Sequence, residues 1–151
     1  MRALLQRVTA AGVSLVDDAG AETPLATIGP GLVVLVCAEP KDTDETAQYF
    51  ARKIANMRMF EDADGKTNLS IQDVGGQALV ISQFTLAADW KRGNRPGFSG
   101  AADPETAERL YLKFMDFLRV EGVDAATGRF RSHMRVTLTN DGPFTIWMDS
   151  D

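Results

Sequence analysis

The sequence predicts a single mixed α/β domain over residues 1–151, with barrel-like β-strands and two main helices. Three observations carry that prediction. Leu32 to Ala38 and Ala78 to Ile81 are apolar without interruption over strand length, as in strands covered on both faces. Two longer segments, beginning near Thr43 and Pro104, repeat apolar residues at helical spacing behind capping residues. Met134, Val136 and Leu138 alternate with Arg135, Thr137 and Thr139, the period of a half-buried strand.

Taken in order, Met1 to Val8 and Gly12 to Val16 read as two strands, with Thr9 to Ala11 as the turn between them. Leu32 to Ala38 is the central strand. Asp42-Thr43-Asp44-Glu45 offers caps for a helix from Thr43 to Met57, whose inward face is Ala47, Phe50, Ala51, Ile54 and Met57. Asp64-Gly65 marks a hairpin turn. Gln77 to Phe84 is a second central strand. Ala87 to Asp103, holding Gly93, Pro96, Gly97 and Gly100, is a loop long enough to suggest a functional role. Asp103-Pro104 starts the second helix by cap and first-turn proline. Its apolar stripe is Leu110, Phe114, Phe117 and Leu118, and Gly122 ends it. Both stripes read as core rather than cofactor contacts.

Composition narrows the function classes. At 151 residues and 44% apolar content the chain can bury a sizeable core and is not a disordered segment. The longest uncharged apolar run, Leu32 to Ala38, falls far short of the about 18 residues that suggest a membrane span. The N-terminus has no signal-peptide core, so the cytoplasm is the expected location. Cys37, the single cysteine, follows Leu32 to Val36 and reads as a buried, inert thiol. A net charge of −5 argues against a general nucleic-acid binder. Lys91, Arg92 and Arg95 nevertheless cluster in one place, and Arg129, Arg131 and Arg135 in another. Two such clusters can make a local positive field in an acidic protein, suited to a short stretch of phosphate backbone.

Familiar catalytic kits are missing. The sequence has no Gly-x-Ser-x-Gly elbow and no glycine-rich loop ending in Lys-Ser/Thr. His133 is the only histidine, which excludes a histidine metal pair, and its arginine neighbours make it a poor general base. It reads as a surface or RNA-facing residue. Glu61-Asp62-Ala63-Asp64 lacks the terminal glutamate of a calcium loop and reads as a hairpin rim. No metal and no cofactor are expected.

Two segments remain. Ser82-Gln83-Phe84-Thr85-Leu86 follows the apolar run Ala78 to Ile81 and so places polar groups where a central strand gives way to a loop. Asn140-Asp141-Gly142-Pro143-Phe144-Thr145 is a turn sequence between two strand patterns, Met134 to Thr139 and Phe144 to Met148. A proline after the glycine removes an N–H and fixes φ. Such a segment is either a stiff turn or a rigid main-chain probe that points two carbonyls in one direction.

At this separation, the two segments together resemble the signature motifs of the D-aminoacyl-tRNA deacylases. Arg2 to Val8, Asp64 to Leu69, Arg95-Pro96-Gly97-Phe98 and Thr127-Gly128-Arg129-Phe130 resemble further segments of that family, so the likeness covers nearly the whole chain. Phe144 stands where many relatives have valine, and Arg131-Ser132-His133-Met134 where many have a Gly-Ala-x-Met stretch. The resemblance implies hydrolysis of the ester that joins a D-amino acid, or achiral glycine, to the 3′-terminal adenosine of tRNA. It implies a homodimer in which a cis Gly142-Pro143 enters the partner subunit's pocket and leaves no room for an L side chain. The catalytic residues are then Phe84 and Thr85, through main-chain N–H groups for an oxyanion and the Thr85 hydroxyl. Ser82, Gln83, Phe98, Met134, Gly142, Pro143 and Thr145 bind substrate, and Lys91, Arg92 and Arg95 contact tRNA. Whether Thr85 or the substrate's own 2′-OH promotes attack is open. Two rival readings stand beside this one: an editing enzyme that removes a small L-amino acid from tRNA, and a non-catalytic dimeric module that binds an RNA 3′ end or a nucleotide.

Overall fold

The structure, a computed structural model, describes residues 1–91 and 93–150. In chain order the elements are β1 (Arg2–Val16), β2 (Glu22–Ile28), β3 (Gly31–Cys37), α1 (Asp44–Asn56), β4 (Phe60–Glu61), β5 (Thr67–Leu69), β6 (Gln77–Ser82), a 3-10 helix (Phe84–Ala87), α2 (Pro104–Val120), β7 (Asp124–Thr127) and β8 (Met134–Asp149). The main sheet runs β2-β1-β3-β6-β7, with β8 also paired to β1. Its strands curl so that β2 comes back near β6 and β7, which makes the sheet nearly barrel-like.

The centre of the sheet follows from the apolar runs. β3 lies between β1 and β6, antiparallel to the first and parallel to the second. Parallel pairing needs a crossover, and α1 supplies it between β3 and β6 as α2 does between β6 and β7. Leu32, Val34, Val36, Ala78 and Val80 join Phe50, Ile54, Leu110, Phe114 and Leu118 in one core beneath the helices. The alternate residues Val33, Leu79 and Ile81 pack with Val8, Val13 and Ile28 in a second core on the opposite face. Both faces of β3 and β6 are covered, hence the uninterrupted apolar runs. Burying a side chain the size of Phe50 or Phe114 stabilises the fold by about 1.5–3 kcal/mol. Gly31 faces Gln77 across the β3–β6 pair, and a Cβ there would stand 1.8 Å from the Gln77 carbonyl oxygen. No other residue fits.

The helices begin where their caps predict. The Thr43 side chain accepts from the Thr46 N–H at 3.4 Å while Thr46 Oγ1 accepts from the Thr43 N–H at 3.2 Å. The Asp103 carboxylate accepts from the N–H groups of Glu105 and Thr106, with Pro104 in the first turn. The hairpin at Asp64-Gly65 joins β4 to β5. There the Asp62 carboxylate accepts from the Asp64 and Lys66 N–H groups and the Asn68 amide, so it serves the turn.

Two sequence expectations fail. β1 is one strand of 15 residues, not two strands around a turn at Thr9 to Ala11. At that point its partner changes instead: Arg2 to Val8 pair with β3, and Ala11 to Val16 pair with β2. β8 is likewise one strand, antiparallel to β1 along its length. Its register jumps from Val8↔Asn140 to Gln6↔Thr145, leaving Asp141 to Phe144 opposite Arg7 alone. The Asn140–Thr145 segment therefore bulges from a continuing strand and does not reverse the chain. Small and polar residues signal a break in local geometry, but a long partner strand can carry the ladder across it. The sequence reading also passed over β2 and β7, both short and poor in large apolar residues, and extended β6 into the 3-10 helix.

Candidate active site

A cleft of about 570 Å³ opens where β3 and β6 end and the chain leaves β7. Carboxyl ends of parallel strands are where α/β sheets commonly bind ligands, because the crossovers leave a crevice there. Cys37 closes β3, Ser82 closes β6, and the loop after β7 contributes Phe130 to His133.

The Ser82–Leu86 segment is built by an abrupt change in backbone path. The Gln83 N–H still donates to the Val36 carbonyl at 2.8 Å, one step beyond the β3–β6 ladder. The chain then winds into the 3-10 helix, whose first N–H groups, those of Phe84 and Thr85, have no acceptor inside a turn that short. Arg2 Nη1 donates to the Leu86 carbonyl at 3.1 Å and ties this helix to β1. Gln83 Nε2 donates to Thr85 Oγ1 at 2.6 Å. The Phe84 ring, 54% exposed, meets Phe98 edge-on with centroids 5.2 Å apart.

Ser82, Gln83, Phe84, Phe98 and Met134 are brought together as lining of the cleft. Thr85 is exposed one residue beyond that lining. Lys91 and Arg95 are exposed on the long loop, which is pinched by an Asp89↔Gly97 bridge next to Phe98. Arg92 lies outside the described residues. Gly142, Pro143 and Thr145 do not line this cleft but sit on β8 at the bulge.

The bulge is held at several points. Arg7, only 8% exposed, donates from Nε to the Asp141 carbonyl at 3.1 Å and from Nη1 to the Met59 carbonyl at 2.8 Å. Its guanidinium also lies over the Phe144 ring, 4.9 Å from the centroid. Asn140 Oδ1 accepts from the Phe144 N–H, and Asn140 Nδ2 donates to Thr145 Oγ1, both at 3.0 Å. Within this frame the Gly142–Pro143 peptide is cis and Gly142 has φ +136. Sequence reasoning missed the positioning role of Arg7. The available signal was an arginine within the opening strand directly before Val8, a residue type rarely buried unless partnered.

The cleft contains little that titrates. Among the described residues no carboxylate lines it; Arg131, His133 and Cys37 do. Burial, with Glu39 adding, pushes the Cys37 thiol from 9.0 up to about 11, so it stays protonated and is no nucleophile at neutral pH. Behind the cleft, the Tyr111 hydroxyl donates to the Val80 carbonyl at 2.9 Å and contacts Thr127 Oγ1, tying β6 to β7. Burial raises the tyrosine above its usual range. Sequence reasoning passed over Tyr111 because it lies on the core stripe of α2.

Chains of known kind share this sequence and architecture. The family model described as D-Tyr-tRNA(Tyr) deacylase matches residues 4–149. A D-aminoacyl-tRNA deacylase of Dinoroseobacter shibae is 56% identical over 149 residues, covering 99% of each chain. The protein of the same name from Paracoccus denitrificans is 51% identical over 150 residues, covering 99% of this chain and 97% of its own. Among solved structures, the c-Myc DNA Unwinding Element Binding Protein superposes with a TM-score of 0.89 at 37% identity, covering 100% of this chain and 99% of its own. A probable eukaryotic D-amino acid tRNA deacylase, at 18% identity and 97% coverage of each chain, shares the fold with a TM-score of 0.81. On these matches the chain belongs to the D-Tyr-tRNA(Tyr) deacylase family.

Proposed function

We propose that this protein hydrolyses the ester bond of D-aminoacyl-tRNA, releasing the D-amino acid and free tRNA, and accepts glycyl-tRNA for the same reason. The observation that carries the reading, beside family membership, is a cleft with no carboxylate among its described lining residues and with Phe84, the first residue of the 3-10 helix, in that lining. An aminoacyl ester is already activated. Its hydrolysis needs orientation and a place for the negative charge more than a strong base. Water adds to the ester carbonyl, and the main-chain donors hold the resulting oxyanion. Collapse of the tetrahedral intermediate breaks the bond to the ribose oxygen, which leaves with a proton as the hydroxyl of the terminal adenosine. The amino acid departs as carboxylate.

Chiral selection is assigned to the Gly142–Pro143 carbonyls of a second copy. Both residues are exposed and neither lines its own cleft, which supports action on another subunit's substrate. Trp147, 47% exposed on β8, and Leu138 at 36% offer apolar surface for that association. Carbonyls on a bulge whose ends Arg7 and Asn140 hold can accept from the α-amino group and occupy the space of an L side chain, while a D side chain and the hydrogen of glycine escape the clash. Lys91, Arg92 and Arg95 steer the acceptor end of tRNA, and the enzyme works in the cytoplasm where that substrate is found.

The test is loss of the aminoacyl group from tRNA charged with D-Tyr, L-Tyr, L-Ala or Gly. Cleavage of the D-Tyr and Gly substrates with L-Tyr spared is the expected pattern. Preference for L-Ala would identify the L-selective editing class, and no cleavage at all would identify a binding module.

A further inference from the structure

The turn between β7 and β8 carries an arginine where the backbone favours glycine. The Ser132 N–H donates to the Arg129 carbonyl at 3.3 Å, which makes Phe130 and Arg131 the central pair of a β-turn. Arg131 has φ 55, and among the described residues it is the one non-glycine residue with positive φ. At the second central position of a turn, left-handed backbone selects glycine or asparagine because a Cβ crowds the following carbonyl. An arginine here works against local backbone preference, so a role for its side chain would offset that cost.

The surroundings of Arg131 suit an anion. Arg131 lines the cleft with His133, and among the described residues no carboxylate lines the same cleft and Arg131 has no ion-pair partner. A guanidinium in this position presents a planar fork of donors suited to a carboxylate or phosphate. We propose that Arg131 is a specificity-determining residue that binds an anionic oxygen group of the substrate at the cleft. The assignment rests on the ester-hydrolase reading above and adds to it. Two parts of such a substrate carry that chemistry: the phosphate on the 5′ side of the terminal adenosine, and the side-chain carboxylate of an acidic D-amino acid.

Arg131→Gly separates function from structure, because glycine relieves the turn while deleting the fork. Its melting temperature should equal or exceed that of the parent protein. Arg131→Asn, which also tolerates left-handed backbone, serves if the glycine variant folds poorly. The first arm measures binding of adenosine and of adenosine 5′-monophosphate by calorimetry, which needs no turnover. If the phosphate is the ligand, the parent binds the monophosphate about tenfold more tightly and the variant loses that preference, the size expected of one charge-assisted contact. The second arm compares kcat/KM for D-aspartyl-tRNA and D-tyrosyl-tRNA. If the carboxylate is the ligand, that ratio falls about tenfold in the variant and adenosine and its monophosphate bind equally. A folded variant that leaves both ratios unchanged overturns the proposal. A parent that cleaves no D-aminoacyl-tRNA, yet loses its monophosphate preference on Arg131→Gly, overturns the ester-hydrolase reading and leaves Arg131 an anion-binding residue.

Discussion

Gly142→Ala tests whether the shape of the Asp141–Phe144 bulge matters to the chemistry. Gly142 has φ +136, and an added Cβ would lie 2.9 Å from the Phe144 nitrogen and 3.2 Å from the Phe144 Cβ. The first contact is with backbone, so it cannot be relieved by turning a side chain. Holding a non-glycine residue in such a conformation costs about 1–3 kcal/mol. The exposed bulge will escape by changing its path, since Arg7 and Asn140 fix it only at its ends. The fold should survive: Asn140 and Thr145 remain paired with Val8 and Gln6, and no core volume is emptied. If the competent path loses about 1–3 kcal/mol, its population falls roughly 5- to 150-fold. kcat/KM for D-tyrosyl-tRNA should fall by that factor, or L-tyrosyl-tRNA should begin to be cleaved. Deacylation of both substrates, with urea unfolding as the stability control, reads the outcome. A folded variant with unchanged kcat/KM and unchanged D/L discrimination would refute a role for the bulge.

Three further expectations concern residues around the cleft. Thr85→Ala should keep most activity, because the hydroxyl is exposed and does not line the cleft, whereas a loss of about 10²–10⁴-fold would assign it proton transfer. Deacylation at subsaturating tRNA should slow as salt rises, and Lys91→Glu with Arg95→Glu should raise KM more than it lowers kcat; a salt-independent rate would remove these residues from substrate steering. Cys37 gives a pH signature. Folding holds its proton up to about 11 whereas the unfolded thiol releases it near 9.0, so its stabilisation is complete below pH 9.0 and declines from there towards about 11. Relative to the parent, Cys37→Ser should show a flatter loss of stability over that window in urea melts, with activity at neutral pH retained.

The helices and the central strands were legible because their signals are local. Thr43 and Asp103-Pro104 cap the helices through hydrogen bonds to residues two or three positions away, so the sequence contains both partners. The uninterrupted run at Leu32 to Val36 reports burial on both faces, which holds wherever the strand is placed. The Ser82–Leu86 segment reads likewise as a polar end to an apolar strand; its first three residues line one cleft with Phe98 and Met134, whereas Thr85 and Leu86 do not.

What the sequence by itself determined is the fold class, the bounds of both helices and the family. Only the tertiary structure decided that β1 and β8 run unbroken past segments that look like turns, since continuity comes from a partner strand more than a hundred residues away. It also decided that Arg7 locks the bulge from across the sheet, that Gly142 and Pro143 stand apart from their own cleft, and that Arg131 occupies a left-handed turn position within the cleft wall. Capping and burial are written in neighbouring residues. Register, long-range hydrogen bonds and the convergence of loops on a cleft depend on which distant segments pair, and that is settled only when the whole chain packs.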